Sequence, residues 1–220
     1  MRIPPVTLAL LWTLGIAFAL QSWVGGSIEG QIALLPLSLW PLGEHPLGIG
    51  PDGQMVVARF YPWQLLTYAF LHADLGHLFF NALGIVQFGM AVEKAWGSRR
   101  FAIYFLACVA GAGILQLAVA ALRPAVDAHP VIGASGGVYA LLLAFAVTFP
   151  QARMMLLIPP IPVRARTLVI VFGAISLAYG VSGSRDGIAH VVHLGGLVIG
   201  WLLIKVWKFG PPKSPPPMQA

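Results

Sequence analysis

The sequence predicts an all-α membrane protein with six transmembrane helices, on three observations. The 220 residues are 58% hydrophobic and 9% charged with a mean hydropathy of +0.83, whereas a soluble domain is about half apolar and about a quarter charged. Six stretches approach the roughly 20 apolar residues that cross a hydrocarbon core of about 30 Å. The basic residues also gather on alternate sides of those stretches, as membrane sidedness requires.

The predicted spans are 6–23, 77–95, 101–122, 135–149, 166–181 and 188–207. The connections are short except the first, about 24–76, which is rich in glycine, proline and aromatic residues. A single membrane domain over 1–208 therefore accounts for the chain, with no internal repeat. The proline-rich tail 209–220 lacks the apolar residues to fold and is expected to be disordered and cytoplasmic.

A net charge of +6 and a pI near 9.9 would suit a nucleic-acid partner, but the distribution excludes that reading. With an even number of spans, one side holds Arg2, Lys94, Arg99, Arg100, Arg153, Arg164, Arg166, Lys205, Lys208 and Lys213, and the other Arg59, Arg123 and Arg185. Ten against three places both termini in the cytoplasm. A rival reading takes Arg2, the following apolar run and Ala17-Phe18-Ala19 as a signal peptide; cleavage would leave five spans and spoil the charge pattern. The single cysteine, Cys108, lies inside the third span, where it is expected to pack.

Polar side chains within an apolar chain suggest function, because burying them in lipid is costly. They gather at His72, His77 and Asn81, at Ser135, and at His190 and His193. Ser135 sits in GASGGVYA, flanked by Gly133, Gly136 and Gly137 at the start of the fourth span. Glycines admit close backbone approach, and a helix N-terminus offers free N–H groups to a developing oxyanion. Tyr139, four residues on, shares the helix face of Ser135. Fourteen helical steps separate Ser135 from Phe149, about 21 Å at 1.5 Å per residue. That leaves the serine roughly 10 Å below the outer surface of a core of about 30 Å, where it needs a water-filled pocket.

In the sixth span His193, Gly196 and Gly200 follow one another at spacings of three and four, a stripe that lets one helix lie against another. If Gly136 and Gly137 face that stripe, His193 reaches Ser135, and a histidine bonded to a serine hydroxyl makes it a nucleophile for acyl transfer. His190 competes for the role but lacks the glycine three residues on, and is expected to pack. No acidic residue lies at a matching depth, so the pattern is a Ser–His dyad. Metal ligation is disfavoured by the lack of HExxH or another close ligand spacing. His77 and Asn81, at i and i+4, share a face and can present two donors to one oxygen.

These motifs, HADLGHLFFN, GASGGVYA and the glycine-flanked His193, together resemble the rhomboid family of intramembrane serine proteases over about residues 60–205. The resemblance implies the six-helix rhomboid core with an active-site cavity open to the extracytoplasmic side. It implies Ser135 as nucleophile, His193 as general base, and His77, Asn81 and the Ser135 backbone N–H as the oxyanion donors. Tyr139 matches the tyrosine packed on the catalytic histidine, His72 a supporting position near the pocket, and Gly133, Gly136, Gly196 and Gly200 the motif glycines. Trp63-Gln64 stands where the family commonly carries Trp-Arg, and Glu93 with Arg99 or Arg100 resembles a cytoplasmic ion pair.

The function so implied is cleavage of transmembrane protein substrates without a cofactor, with membrane lipids as the other partners and a substrate gate between the second and fifth helices. A catalytically inactive rhomboid-like protein that binds transmembrane clients is the alternative, although such relatives usually lack the serine or the histidine. A transporter is disfavoured by the missing repeat symmetry. With no long cytosolic domain or targeting segment ahead of the first span, the expected location is a prokaryotic inner membrane.

Overall fold

A computed structural model describes residues 2–123, 129–155, 160–182 and 190–207. A helix stands at each predicted apolar stretch: α1 (Pro5–Val24), α4 (Leu75–Gly84) running through a π-helical turn (Ile85–Gly89) into α5 (Met90–Trp96), α6 (Ser98–Leu122), α7 (Ser135–Thr148), α8 (Ala165–Ser182) and α9 (His190–Val206). By length and composition Pro5–Val24, Leu75–Trp96 and Ser98–Leu122 are able to cross a membrane, while α7 and α9 are shorter, at 14 and 17 residues. The predicted start of the sixth stretch at 188 and the tail 209–220 lie outside the described residues.

Local sequence sets the boundaries. Asp74 caps α4, its carboxylate accepting from the His77 N–H at 2.8 Å. Gly97, at φ +82°, turns the chain from α5 into α6. Large apolar side chains cover the outer faces, with Trp12, Ile16 and Leu20 exposed on α1 and Ile170 and Leu177 on α8. Such faces suit lipid contact. The interior is built around α6, whose Phe101, Tyr104 and Phe105 are almost completely buried.

The connection 24–76 is more ordered than a connecting loop. It holds α2 (Ile28–Leu34), a 3₁₀ turn (Leu35–Leu37), an antiparallel hairpin of β1 (Glu44–Ile49) and β2 (Met55–Arg59), and the short α3 (Gln64–Thr67). Gln64 is fully buried at its centre: its carbonyl accepts from the Trp40 N–H at 3.1 Å and its amide donates to the Arg59 carbonyl at 3.0 Å. Both ends of this side chain thus serve the loop in which the family's arginine was expected. A second antiparallel pair of strands, β3 (Arg153–Met155) with β4 (Pro162–Arg164), lies between α7 and α8.

α1 is fastened at both ends. At its start Glu93 of α5 accepts from the N–H groups of Val6 (2.9 Å) and Thr7 (2.7 Å), from the Thr7 hydroxyl (2.7 Å) and from the Ser98 hydroxyl (2.7 Å). This corrects the expected ion pair with Arg99 or Arg100: the first turn of a helix has unpaired N–H groups, and the carboxylate caps them from a neighbouring helix. At the other end Gln21 grips the backbone of His72, donating to its carbonyl at 2.7 Å and accepting from its N–H at 3.0 Å. α1 therefore runs antiparallel to α4 and α5.

Two outcomes test these fastenings. Glu93→Ala removes the acceptor of several charge-assisted hydrogen bonds and should cost on the order of 2–4 kcal/mol, read as a lower Tm in detergent. Burial, and then the neighbouring His77 ring, push the His72 imidazole down to about 4 from its usual 6.5. Between those values the unfolded chain binds more protons than the folded one, so His72 lowers stability as pH falls from about 6.5 to about 4. Thermal melts across that window should show a smaller loss of Tm in His72→Phe than in the parent protein.

Candidate active site

The site is assembled where α4, α7 and α9 begin. The His193 Nε2 atom lies 2.8 Å from the Ser135 Oγ atom, a hydrogen bond between side chains 58 residues apart. Ser135 is the first residue of α7 and half-buried, and His193 is buried at 8% exposure. Contacts between the helices then march together: a side chain on Gly196 would run into the Gly136 backbone, and one on Gly200 would meet Ala140 at 3.3 Å. The positions rise together on both chains, so α7 and α9 run parallel and present their N-termini at one end.

The glycine stripe thus does what its spacing predicts, with one difference. Gly137 does not face α9; a side chain there would meet Phe105 of α6 at 2.5 Å. α6 closes the third side of the contact. Its Ala112 lies where side chains on Gly136 (3.2 Å) or Gly195 (2.8 Å) would reach, and its Tyr104 hydroxyl donates to the Ala140 carbonyl at 2.9 Å. The free thiol of Cys108 is buried on the same helix, in keeping with a packing role.

Tyr139 stacks on His193, ring centroids 4.2 Å apart and planes 11° from parallel. This fixes the imidazole plane while its Nε2 faces the serine. His190, the competing histidine, stacks instead on Tyr179 of α8 at 5.0 Å and meets His193 edge-on at 5.9 Å. The fifth stretch is also held by Arg123 of the α6 end, whose Nη1 donates to the Gly180 carbonyl at 2.9 Å.

His77 and Asn81 lie on α4, whose start meets the segment before Ser135. Gly133 takes φ +113°, and a side chain there would fall 2.6 Å from the His77 Nε2 atom, so the imidazole lies directly against the backbone two residues before Ser135. Asn81 is buried at 4% exposure, with its amide donating to the His77 carbonyl at 2.9 Å. That bond uses one amide hydrogen and ties the side chain to the turn carrying His77. His72 is fully buried behind them, its ring edge-on to His77 at 5.0 Å.

Sequence reasoning missed the isolated β-bridge that leads into Ser135. Val131 and Leu39 exchange backbone hydrogen bonds of 2.9 and 3.0 Å, and the Gly133 N–H donates to the Tyr68 carbonyl at 2.8 Å. The segment entering Ser135 is therefore clamped to the first connection. Its only sequence signal is a pair of short apolar stretches far apart in the chain.

Comparison with known proteins identifies the family. A family model described as the Rhomboid domain matches residues 59–208. The chain is 33% identical over 162 residues to Rhomboid protease GluP of Bacillus subtilis (72% of this chain, 28% of that one). It is 30% identical over 146 residues to Rhomboid-related protein 1 of Caenorhabditis elegans (63% and 38%) and 29% over 142 residues to Rhomboid protein 1, mitochondrial, of Saccharomyces cerevisiae (63% and 40%). The match thus spans well under half the length of these relatives. Bacterial, animal and mitochondrial proteins occur among them, so the prokaryotic location draws no support from the match. With the model covering most of the chain, including the three helices that meet at Ser135, the protein belongs to the rhomboid family of membrane proteins.

Proposed function

We propose that the protein is an intramembrane serine endopeptidase that cleaves transmembrane protein substrates, with Ser135 and His193 as its catalytic dyad. The observation that carries this reading is the 2.8 Å contact between the His193 Nε2 and Ser135 Oγ atoms, at the start of a helix whose first N–H groups have no intrahelical partner. His193, neutral, takes the proton of Ser135 as its oxygen attacks the scissile carbonyl carbon. The tetrahedral oxyanion is held by the Ser135 N–H and the His77 and Asn81 side chains. Collapse breaks the C–N bond, and the leaving amine takes the proton from His193. Water, deprotonated by the same histidine, then hydrolyses the acyl-enzyme.

Six membrane spans with both termini cytoplasmic would put this site toward the extracytoplasmic side, since α4, α7 and α9 all begin there. Substrate would enter as extended chain between α8 and the α4–α5 helix. The stacking of Tyr139 on His193 supports the role of His193, because a general base must keep its orientation through the cycle.

Cleavage of a transmembrane model substrate by the purified protein in detergent tests the reading. Ser135→Ala and His193→Ala should each abolish turnover. Asn81→Ala should lower kcat by about 10²–10³, the usual effect of losing one oxyanion donor. Normal turnover by Ser135→Ala would refute the assignment.

A further inference from the structure

A cleft of about 670 Å³ lies in the 24–76 connection, between β2 on one side and α2 with Leu35 and Pro36 on the other. None of the dyad or oxyanion residues line it. All five residues of β2, Met55 to Arg59, do. Side chains of a strand alternate between two faces, so five consecutive lining residues mean that the cleft meets β2 along its edge. Among the described residues that edge has no strand partner, since the sheet there has two strands and β1 holds the other side. An open edge in a cleft is a template for another extended chain.

The charge of this region selects the chain. Residues 24–76 carry Glu29, Glu44, Asp52 and Asp74 against Arg59 alone, in a protein of net charge +6. Arg59 is taken up by Glu44 at 3.8 Å. Glu29 and Asp52 line the cleft, are exposed, and have no cationic partner among the described residues. A basic peptide is favoured there and an anionic lipid headgroup is repelled.

The cleft is also joined to the nucleophile. Its wall at Leu35 and Pro36 continues to Leu39, which pairs with Val131, four residues before Ser135. At about 3.5 Å per extended residue, a chain of roughly ten residues reaches from the cleft to Ser135.

We infer that the open edge of β2 is an exosite: it takes an extended, lysine- or arginine-bearing segment of the substrate about ten residues from the scissile bond, by strand addition, with Glu29 and Asp52 holding its cations. This rests on the protease reading above.

The test uses the full chain in neutral detergent at low salt. One arm measures binding of a fluorescent dodecapeptide of alternating lysine and valine to the Ser135→Ala protein. The other measures kcat and KM for two transmembrane substrates that carry either lysines or serines in the distal segment. The peptide should bind through strand hydrogen bonds and ion pairs, and the lysine substrate should show a KM about tenfold lower at similar kcat, from the exposed ion pairs that the serine substrate lacks. In Glu29→Gln/Asp52→Asn both the peptide binding and the KM difference should disappear. Equal KM values with no peptide binding overturn the exosite and leave the protease reading standing. Peptide binding to the Ser135→Ala protein with neither substrate cut supports the basic-peptide cleft while the protease reading fails. Binding that persists in the double variant, or phosphatidylglycerol displacing the peptide, also overturns the proposal.

Discussion

The site depends on how closely α7 and α9 approach. Gly136 and Gly196 meet with no side chain between them, and that contact places the start of α7 beside the first turn of α9. A side chain on Gly196 would overlap the Gly136 backbone, so the two helices could not keep the spacing at which Ser135 and His193 are hydrogen-bonded at 2.8 Å. Because the helices run parallel, the same contact brings two N-termini together, and α4 adds a third beside Gly133. Three positive helix ends at one point favour negative charge, which is what acyl transfer at Ser135 would generate.

Around this contact the rest of the molecule acts as a frame. α6 fills the groove behind α7 and α9 with Ala112 and Tyr104. The first connection reaches the segment entering Ser135 through a run of hydrogen bonds: Arg59 and Trp40 to Gln64, then Leu39 to Val131, then Gly133 to Tyr68. Gln64 is short and neutral where the family commonly has arginine, yet it satisfies two backbone groups at once and needs no counter-ion in a buried site. The loop and the start of α7 are consequently tied together by backbone hydrogen bonds. Glu93 fastens the start of α1 to α5, and Gln21 fastens its end to the His72 backbone.

Much of this was legible in the sequence because membrane helices and helical faces write themselves in local patterns. The apolar runs located the long helices to within a few residues, and the spacing of His193, Gly196 and Gly200 indicated which face of α9 meets α7. What was not legible arises from pairing over long distances. Glu93 read as an ion-pair partner because its segment resembles the family's cytoplasmic turn, whereas its carboxylate accepts from N–H groups 86 and 87 residues away. The β1–β2 hairpin was hidden by Pro46, Gly43 and Gly48, residues that ordinarily interrupt strands but here mark positive-φ turns and an irregular register. Gly137 shares its motif with Gly136, and only the third helix decides which neighbour each one meets.

The most direct measurement of the central claim is the site of covalent labelling by a fluorophosphonate, mapped by mass spectrometry on the intact protein in detergent. A serine made nucleophilic by an adjacent imidazole reacts, and an ordinary serine does not. The account predicts label on Ser135 in the parent protein and its loss in His193→Ala. An unlabelled Ser135 in folded parent protein, or equal labelling in the His193→Ala variant, would contradict it.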